Sequence, residues 1–217
     1  MTTIILTSTV NVNFNKIYLF QQDPISRKET YLKSIIQWLN KTKFNIVVVD
    51  NSGYEYNELD NEKQIYKNRF EVISFKENEV EEAKYLENNV SKGASEMFSI
   101  DYVYRHSTII HQSNFIIKIT CRYFIPELED YLRIFDLNKW DCLTQYDRNR
   151  CEMVGSNYKN FDNIFNINMI NANNEYDGHI ENIWKYRTSK FSTVLICKKF
   201  TIESTQRGGE NQCFDTI

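Results

Sequence analysis

Three short and almost continuously apolar runs constrain the fold of this chain more than any other feature. They occupy residues 3–10, 44–50 and 114–120, are rich in Ile and Val, and each ends in polar residues. Continuous β-branched runs are typical of strands that are buried on both faces, as in parallel sheets. We therefore expect an α/β fold with a mostly parallel central sheet covered by helices.

Helical segments alternate with these strands. Asp23 and Pro24 have the residue types of an N-cap and a first helical position, and they predict a helix that extends to about residue 41. The remaining pattern predicts helices at 77–89, 92–106, 125–135 and 178–186, and strands at 70–75, 143–146, 151–155 and 193–197. This order favours one α/β domain over residues 1–200, followed by a polar C-terminal tail over 201–217 that is a candidate for flexibility.

Composition excludes several classes of protein. With 41% hydrophobic and 14% aromatic residues, the 217-residue chain is not intrinsically disordered. Its net charge of −3 argues against a general affinity for nucleic acid. No apolar run approaches the roughly 20 residues that span a membrane. The five cysteines form no C-x-x-C pair and no signal peptide precedes them, so we expect reduced thiols and a cytoplasmic protein, in the host cytoplasm if it is viral.

The ends of the predicted strands are the first place to look for a site, because parallel sheets bind ligands at their carboxyl ends. These ends are Thr7-Ser8-Thr9, Asp50-Asn51-Ser52 and Thr120-Cys121-Arg122. The Asp50 carboxylate has the chemistry to accept hydrogen bonds from a base or a ribose. A plain turn explains the same residues equally well.

Two cations accompany the third strand. Lys118 lies inside an otherwise apolar run, where an unpaired ammonium would be costly to bury, and Arg122 follows where the strand should end. Two cations around a strand end predict a clamp for a diphosphate. The alternative is an edge strand from which Lys118 reaches solvent.

Two further segments carry candidate site residues. Lys92 and Gly93 open a helix, where free amides and an ammonium attract phosphate; the alternative is a capping box from Ser91 to the Ser95-Glu96 pair. The string Asp177-Gly-His-Ile-Glu-Asn182 offers an imidazole and two carboxylates, and its alternative is an exposed helix start.

Taken together, these segments resemble small glycosyltransferases of the GT-A type, which are found in bacteria and large DNA viruses. Four elements carry the resemblance: Asp23-Pro24-Ile-Ser-Arg27-Lys-Glu-Thr-Tyr31, Asp50-Asn51-Ser52-Gly53, Lys92-Gly93-Ala94-Ser95-Glu96 and Lys118-Ile119-Thr120-Cys121-Arg122-Tyr123. Cys121 stands where the family usually has Gly. The likeness extends over roughly residues 3 to 187.

The resemblance implies a single GT-A-like domain that moves a sugar from a nucleotide-diphosphate sugar to a glycan or another hydroxyl acceptor. It implies that Glu181 is the catalytic base, with Asp177 and His179 in reserve. It assigns donor binding to eleven residues: Thr7, Ser8, Asp50, Asn51, Ser52, Lys92, Gly93, Glu96, Lys118, Thr120 and Arg122.

GT-A enzymes in general bind a divalent metal through a D-x-D motif at the end of the strand that corresponds to residues 115–119, where this chain has Thr120-Cys121-Arg122. This chain has no carboxylate there, and such metals need oxygen ligands. We therefore expect no metal and no other cofactor, with Lys118 and Arg122 neutralising the diphosphate.

Two other functions stay open. A non-catalytic module that binds nucleotide sugars, or serves as an interaction partner in glycan assembly, would fit the lost D-x-D and the Cys121 substitution. A sugar nucleotidyltransferase would need a glycine-rich phosphate loop and metal-binding aspartates, and it ranks lower. The sequence does not specify the donor, the acceptor or the oligomeric state.

Overall fold

A seven-stranded mixed sheet forms the centre of the protein in the computed structural model, which describes residues 1–12, 15–17, 19–207 and 209–217. The strands of the described residues are β1 (Thr2–Ser8), β2 (Asn45–Asp50), β3 (Phe70–Ser74), β4 (Phe115–Thr120), β5 (Cys142–Thr144), β6 (Met153–Asn157), β7 (Val194–Ile196), β8 (Thr201–Gln206) and β9 (Cys213–Thr216). The α-helices are α1 (Pro24–Lys41), α2 (Asp60–Ile65), α3 (Lys92–His106), α4 (Leu128–Leu132), α5 (Phe161–Phe165) and α6 (Ile180–Thr188).

The strand order of the central sheet is β3-β2-β1-β4-β6-β5-β7. The neighbours β3, β2, β1 and β4 pair in parallel, and so do β5 and β7. Only β6 runs in the opposite direction, pairing antiparallel with β4 and with β5. The predicted α/β fold with a mostly parallel sheet and flanking helices is therefore confirmed.

Both faces of the sheet are covered, which explains the continuous apolar runs. Along β1, Ile4 and Leu6 pack into the layer that contains α1, whereas Ile5 packs into the opposite layer with α3 and α6. All three side chains are completely buried. A strand with apolar neighbours on both faces needs no polar alternation.

The start of α1 follows the capping chemistry that its sequence predicts. The Asp23 side chain accepts a hydrogen bond from the Ser26 amide at 2.8 Å, and Pro24 occupies the first turn. Tyr31, Ile35 and Trp38 then bury one face of the helix against the sheet.

Two predicted helices are shorter or tighter than expected. Residues 77–89 hold two 3₁₀ helices, Glu77–Glu79 and Glu81–Leu86, because closely spaced acidic residues repel one another along an α-helix. In the segment 125–135 only α4 is α-helical. Pro126 disfavours the helical conformation of the residue before it, which delays the start of this helix.

The segment 201–217, expected as a polar tail, forms a two-stranded antiparallel sheet of β8 and β9. Ile202 and Ile217 are 6% and 2% exposed and join the apolar layer around α1. The average composition of the segment is polar, but these two side chains tie it to the core. The segment thus reaches the carboxyl end of β4, where the Gln206 carbonyl accepts a hydrogen bond from Arg122.

Candidate functional site

The carboxyl ends of β2, β1 and β4 lie side by side in the sheet. Ser8 is in register with Asp50, and Thr7 is in register with Thr120. The structure thus brings together the three strand ends that the sequence singled out. These three ends lie along the carboxyl edge of the sheet, and side chains of α3 and α6 lie at the same edge.

The Asp50 carboxylate is completely buried and bonded to its own chain. Its Oδ2 accepts hydrogen bonds from Ser8 Oγ and the Val10 amide, both at 3.0 Å. Its Oδ1 accepts from the Ser52 amide at 2.8 Å, from Ser52 Oγ at 2.5 Å and from the Tyr54 amide at 3.2 Å. Five donors therefore fix this carboxylate as the centre of a turn.

Asn51 and Gly53 complete this turn. The Asn51 amide group accepts from Thr9 Oγ1 at 2.6 Å and donates to Glu77 Oε2 at 2.9 Å. Gly53 has a φ of +82°, a conformation that favours glycine. The turn interpretation of residues 50–53 accounts for each of these contacts.

Lys118 lies in a central strand and is completely buried, so the alternative of an edge strand with an exposed lysine is wrong. Its Nζ lies 2.6 Å from Glu96 Oε1 and donates to Thr120 Oγ1 at 3.2 Å and to the Cys151 carbonyl at 2.8 Å. Thr7 Oγ1 donates to the same Glu96 oxygen at 2.6 Å. All three ammonium hydrogens have partners, and an ion pair joins β4 to α3 at the end of β1.

The N-termini of α3 and α6 are packed tightly together. Ser91 caps α3 by accepting from the Ala94 amide at 3.1 Å, and its hydroxyl donates to the Gly178 carbonyl at 2.5 Å. A Cβ on Gly93 would lie 2.7 Å from Ile180 Cβ. Gly93 is therefore explained by the close approach of the two helices. Ser91 is the N-cap of α3, but the expected capping box with Ser95-Glu96 is not formed, because Asn89 accepts from the Ser91 amide.

The three acid-base candidates of the segment that leads into α6 have different surroundings. Partial burial would raise the pKa of Asp177, but hydrogen bonds from the His179 amide at 2.8 Å and from Asn182 Nδ2 at 2.9 Å hold the pKa below its usual value. His179 is exposed at the N-cap position of α6. Glu181 lies in the first turn and points toward Cys151.

Glu181 accepts a hydrogen bond from Cys151 Sγ at 3.3 Å. Burial raises the pKa of the Cys151 thiol well above its usual value, although nearby Lys118 acts in the other direction. The thiol is therefore protonated at neutral pH and donates to the carboxylate. Sequence reasoning placed Cys151 in a strand and gave it no role, because no spacing connects it with a residue thirty positions further along the chain.

Lys92 lies among the charged groups of this region. Partial burial lowers the pKa of Lys92, the Glu181 carboxylate raises it, Arg122 lowers it and Glu96 raises it. Electrostatic coupling of this kind requires proximity. Direct contacts support the same grouping, since Lys118 pairs with Glu96 and donates to the Cys151 carbonyl, while the Cys151 thiol donates to Glu181. The charged groups of this neighbourhood lie at the carboxyl edge of the sheet, although they come from three different elements.

Arg122 closes the opposite side of this neighbourhood and is 8% exposed. Its Nη1 donates to the Gln206 carbonyl at 3.1 Å and to Gln21 Oε1 at 3.4 Å. Beside it, Arg207 forms an ion pair with Glu152 at 2.5 Å. The hairpin of β8 and β9 is therefore part of the region, a contribution that the sequence did not indicate.

Neither a metal cluster nor a membrane span is visible in the described residues. Within residues 1–12, 15–17, 19–207 and 209–217, no three His, Cys, Asp or Glu side chains are grouped so that they could hold a metal ion. In the same part of the chain, no helix combines the length and the apolar character needed to cross a membrane. All five cysteines are free.

Comparisons with known proteins give only distant likenesses. No protein-family model matches the chain, and no curated protein matches it. One similar solved structure, from Desulfovibrio desulfuricans G20, is described as a nucleotide-diphospho-sugar transferase. It is 12% identical with a TM-score of 0.48, and the match covers 91% of this chain and 79% of that one.

Two other similar structures are glycosyltransferase GlyE of Streptococcus pneumoniae TIGR4 and a 1–349 fragment of S. aureus TarS. Each is 10% identical with a TM-score of 0.49 and matches 90% of this chain, which spans 44% of the GlyE structure and 57% of the TarS fragment. At these identities and TM-scores, the likenesses assign neither a family nor an activity to this chain.

Proposed function

We propose that the protein is a glycosyltransferase that moves a sugar from a nucleotide-diphosphate sugar to a hydroxyl of a glycan or another acceptor. The observation that carries the proposal is a set of contacts at the carboxyl edge of a mostly parallel sheet. Lys118 pairs with Glu96 and donates to the Cys151 carbonyl, and the Cys151 thiol donates to Glu181. This edge is where such sheets bind ligands. Cations and a candidate base at one site are what sugar transfer requires.

Arg122 and Lys92 are the proposed counter-charges of the leaving diphosphate. Negative charge develops on that group as the bond to the sugar breaks, and fixed cations stabilise it best where water is partly excluded. Arg122 is almost buried, and it lies close enough to Lys92 to lower the pKa of that ammonium. An anion bound between the two cations would relieve their repulsion.

Glu181 is the proposed base. An acceptor hydroxyl is a weak nucleophile at neutral pH and has to lose its proton as it attacks the sugar. The carboxylate lies in the first turn of α6, and the Cys151 thiol donates to one of its oxygens.

The proposed reaction needs no divalent metal. Thr120, Cys121 and Arg122 offer no carboxylate at the end of β4, and divalent ions are held by oxygen ligands. The guanidinium of Arg122 supplies positive charge at the same place. Lys118 supports the site indirectly, through its contacts with Glu96 and Thr120.

A panel of nucleotide sugars tests this function. Isothermal titration of the full chain should identify a donor that binds, and release of the nucleoside diphosphate should follow when EDTA is present. The Glu181→Gln variant is the matched control, since it should bind the same donor and release little product. Failure of every nucleotide sugar to bind, with and without Mn²⁺, would overturn the proposal.

One observation favours a second function, a module that binds a nucleotide sugar without transferring it. All three hydrogens of the Lys118 ammonium are engaged within the chain, so that Lys118 offers the donor no free hydrogen bond. Donor binding without any release of nucleoside diphosphate, over a range of acceptors, would establish this alternative.

A further inference from the structure

A cavity of about 250 Å³ lies between α1 and β8, beside Arg122. One wall is a polar stripe of α1 that includes Lys33, Ser34 and Lys41. These positions share one face of the helix, because residues three, four and seven or eight apart are neighbours on its surface. The other wall is the β8 segment from Glu203 to Gln206.

The charge of this cavity is opposite to that of the whole chain. Its lining contains three cations, Lys33, Lys41 and Arg122, and one carboxylate, Glu203. Its formal charge is therefore +2, whereas the chain carries −3. Lys33 forms an ion pair with Glu203, but each of these side chains is 59% exposed, so the pair contributes little and opens readily.

A buried hydroxyl on the wall lacks a partner. Ser34 is 2% exposed, and its Oγ makes no hydrogen bond within the described part of the chain. A helical serine commonly bonds to the carbonyl four residues earlier, and this one does not. An unsatisfied buried polar atom is costly and is normally paired with protein, water or a ligand.

Size limits the ligand. At ~30 Å³ for each water molecule, the cavity has room for about eight of them, and pockets for drug-sized ligands start at roughly 300 Å³. A single sugar ring with a charged substituent fits a volume of this size. Phe124 and Pro126 supply an apolar surface for the ring.

We propose that this cavity binds a monosaccharide that carries a phosphate or a carboxylate group. The anion would lie between Lys33 and Lys41, and sugar hydroxyls would pair with the polar groups of β8. The inference concerns binding and does not depend on transferase activity.

The test uses isothermal titration of the full chain with four probes: glucose 6-phosphate, glucuronate, glucose and inorganic phosphate. Glucose 6-phosphate or glucuronate should bind, and the better of the two identifies the anion. Glucose and inorganic phosphate should each bind at least about tenfold more weakly, because each lacks half of the recognised chemistry.

Two substitutions with opposite effects make the test specific. Lys33→Gln should weaken binding of the charged sugar by roughly three- to tenfold, and Glu203→Gln should strengthen it by a similar factor. Lys190→Gln, which removes an exposed cation beyond the end of α6, should leave the affinity unchanged. Lys33 and Glu203 are exposed side chains, so both variants should fold. Circular dichroism checks this.

Any of three results would overturn the inference. The first is that neither charged sugar binds, and the second is that inorganic phosphate binds as tightly as the sugar phosphate. The third is that Lys33→Gln and Glu203→Gln change the affinity in the same direction.

Discussion

Neutralising Glu96 should cost the protein more stability than removing Lys118, although the two side chains form one ion pair. The Lys118 ammonium is completely buried at 2.6 Å from Glu96 Oε1, whereas the Glu96 side chain keeps 21% of its surface exposed. In Glu96→Gln the buried ammonium loses its counter-charge, and breaking a buried pair in this way costs about 3–5 kcal/mol. The amide oxygen still accepts a hydrogen bond, so we expect the lower end, about 3 kcal/mol.

The partner substitution should cost less. Lys118→Met leaves a carboxylate that water reaches and that Thr7 still bonds. We expect a loss of about 1–2 kcal/mol, mainly from the Cys151 carbonyl, which loses its donor. The double variant carries no buried charge and should be about as stable as Lys118→Met. The interaction free energy of the double-mutant cycle should therefore equal the cost of Glu96→Gln, about 3 kcal/mol in magnitude.

Urea unfolding monitored by circular dichroism at neutral pH measures these differences. The matched control is Glu79→Gln, which breaks an ion pair with Lys76 at 2.9 Å. Because those side chains are 63% and 54% exposed, the control should lose less than about 1 kcal/mol. The reasoning is refuted if Glu96→Gln costs no more than this control, or if Lys118→Met costs as much as Glu96→Gln.

The proposed chemistry and the packing of α3 on α6 give further measurable outcomes. Glu181→Gln should lower kcat by roughly two to four orders of magnitude and leave donor affinity intact; undiminished turnover would assign the base elsewhere. Arg122→Ala should weaken donor binding, which titration measures, and should also slow product release. If neither changes, Arg122 is not part of the site. Turnover should be nearly unchanged in EDTA, and a loss that Mn²⁺ restores would contradict metal-independent transfer. Gly93→Ala forces a Cβ to within 2.7 Å of Ile180 Cβ and should lower the free energy of unfolding by about 1–3 kcal/mol in urea; wild-type stability would contradict this packing.

The mostly parallel character of the sheet and its cover of helices could be predicted because their determinants are local. The runs around Ile5, Val48 and Ile117 are apolar on both faces, and Asp23 with Pro24 fixes the start of α1. The hairpin of β8 and β9 was missed because two apolar side chains, Ile202 and Ile217, attach it to a core built from distant residues. Such an attachment leaves no periodic pattern in the sequence.

The site could be predicted only as a set of strand ends. Parallel pairing made the meeting of Thr7, Asp50 and Thr120 foreseeable, since their strands end at the same edge. The partner of Lys118 could not be foreseen, because Glu96 reaches it from a helix whose position depends on the packing of Gly93 against α6. Contacts of this kind depend on how helices and strands pack together, and the spacing of residues along the chain does not predict that packing.

A lysine in the middle of a central strand is not explained by the needs of the core. Replacing a buried ion pair with apolar residues is often neutral or stabilising by about 1–4 kcal/mol. Aliphatic residues in place of the pair should therefore keep the fold at least as stable. Instead, the Lys118 ammonium holds Glu96 and Thr120 at the carboxyl edge, and the same Glu96 oxygen holds Thr7. It thereby joins the ends of two strands to the first turns of α3. Lys118 is completely buried, yet the atoms that it fixes in place are those of the candidate site.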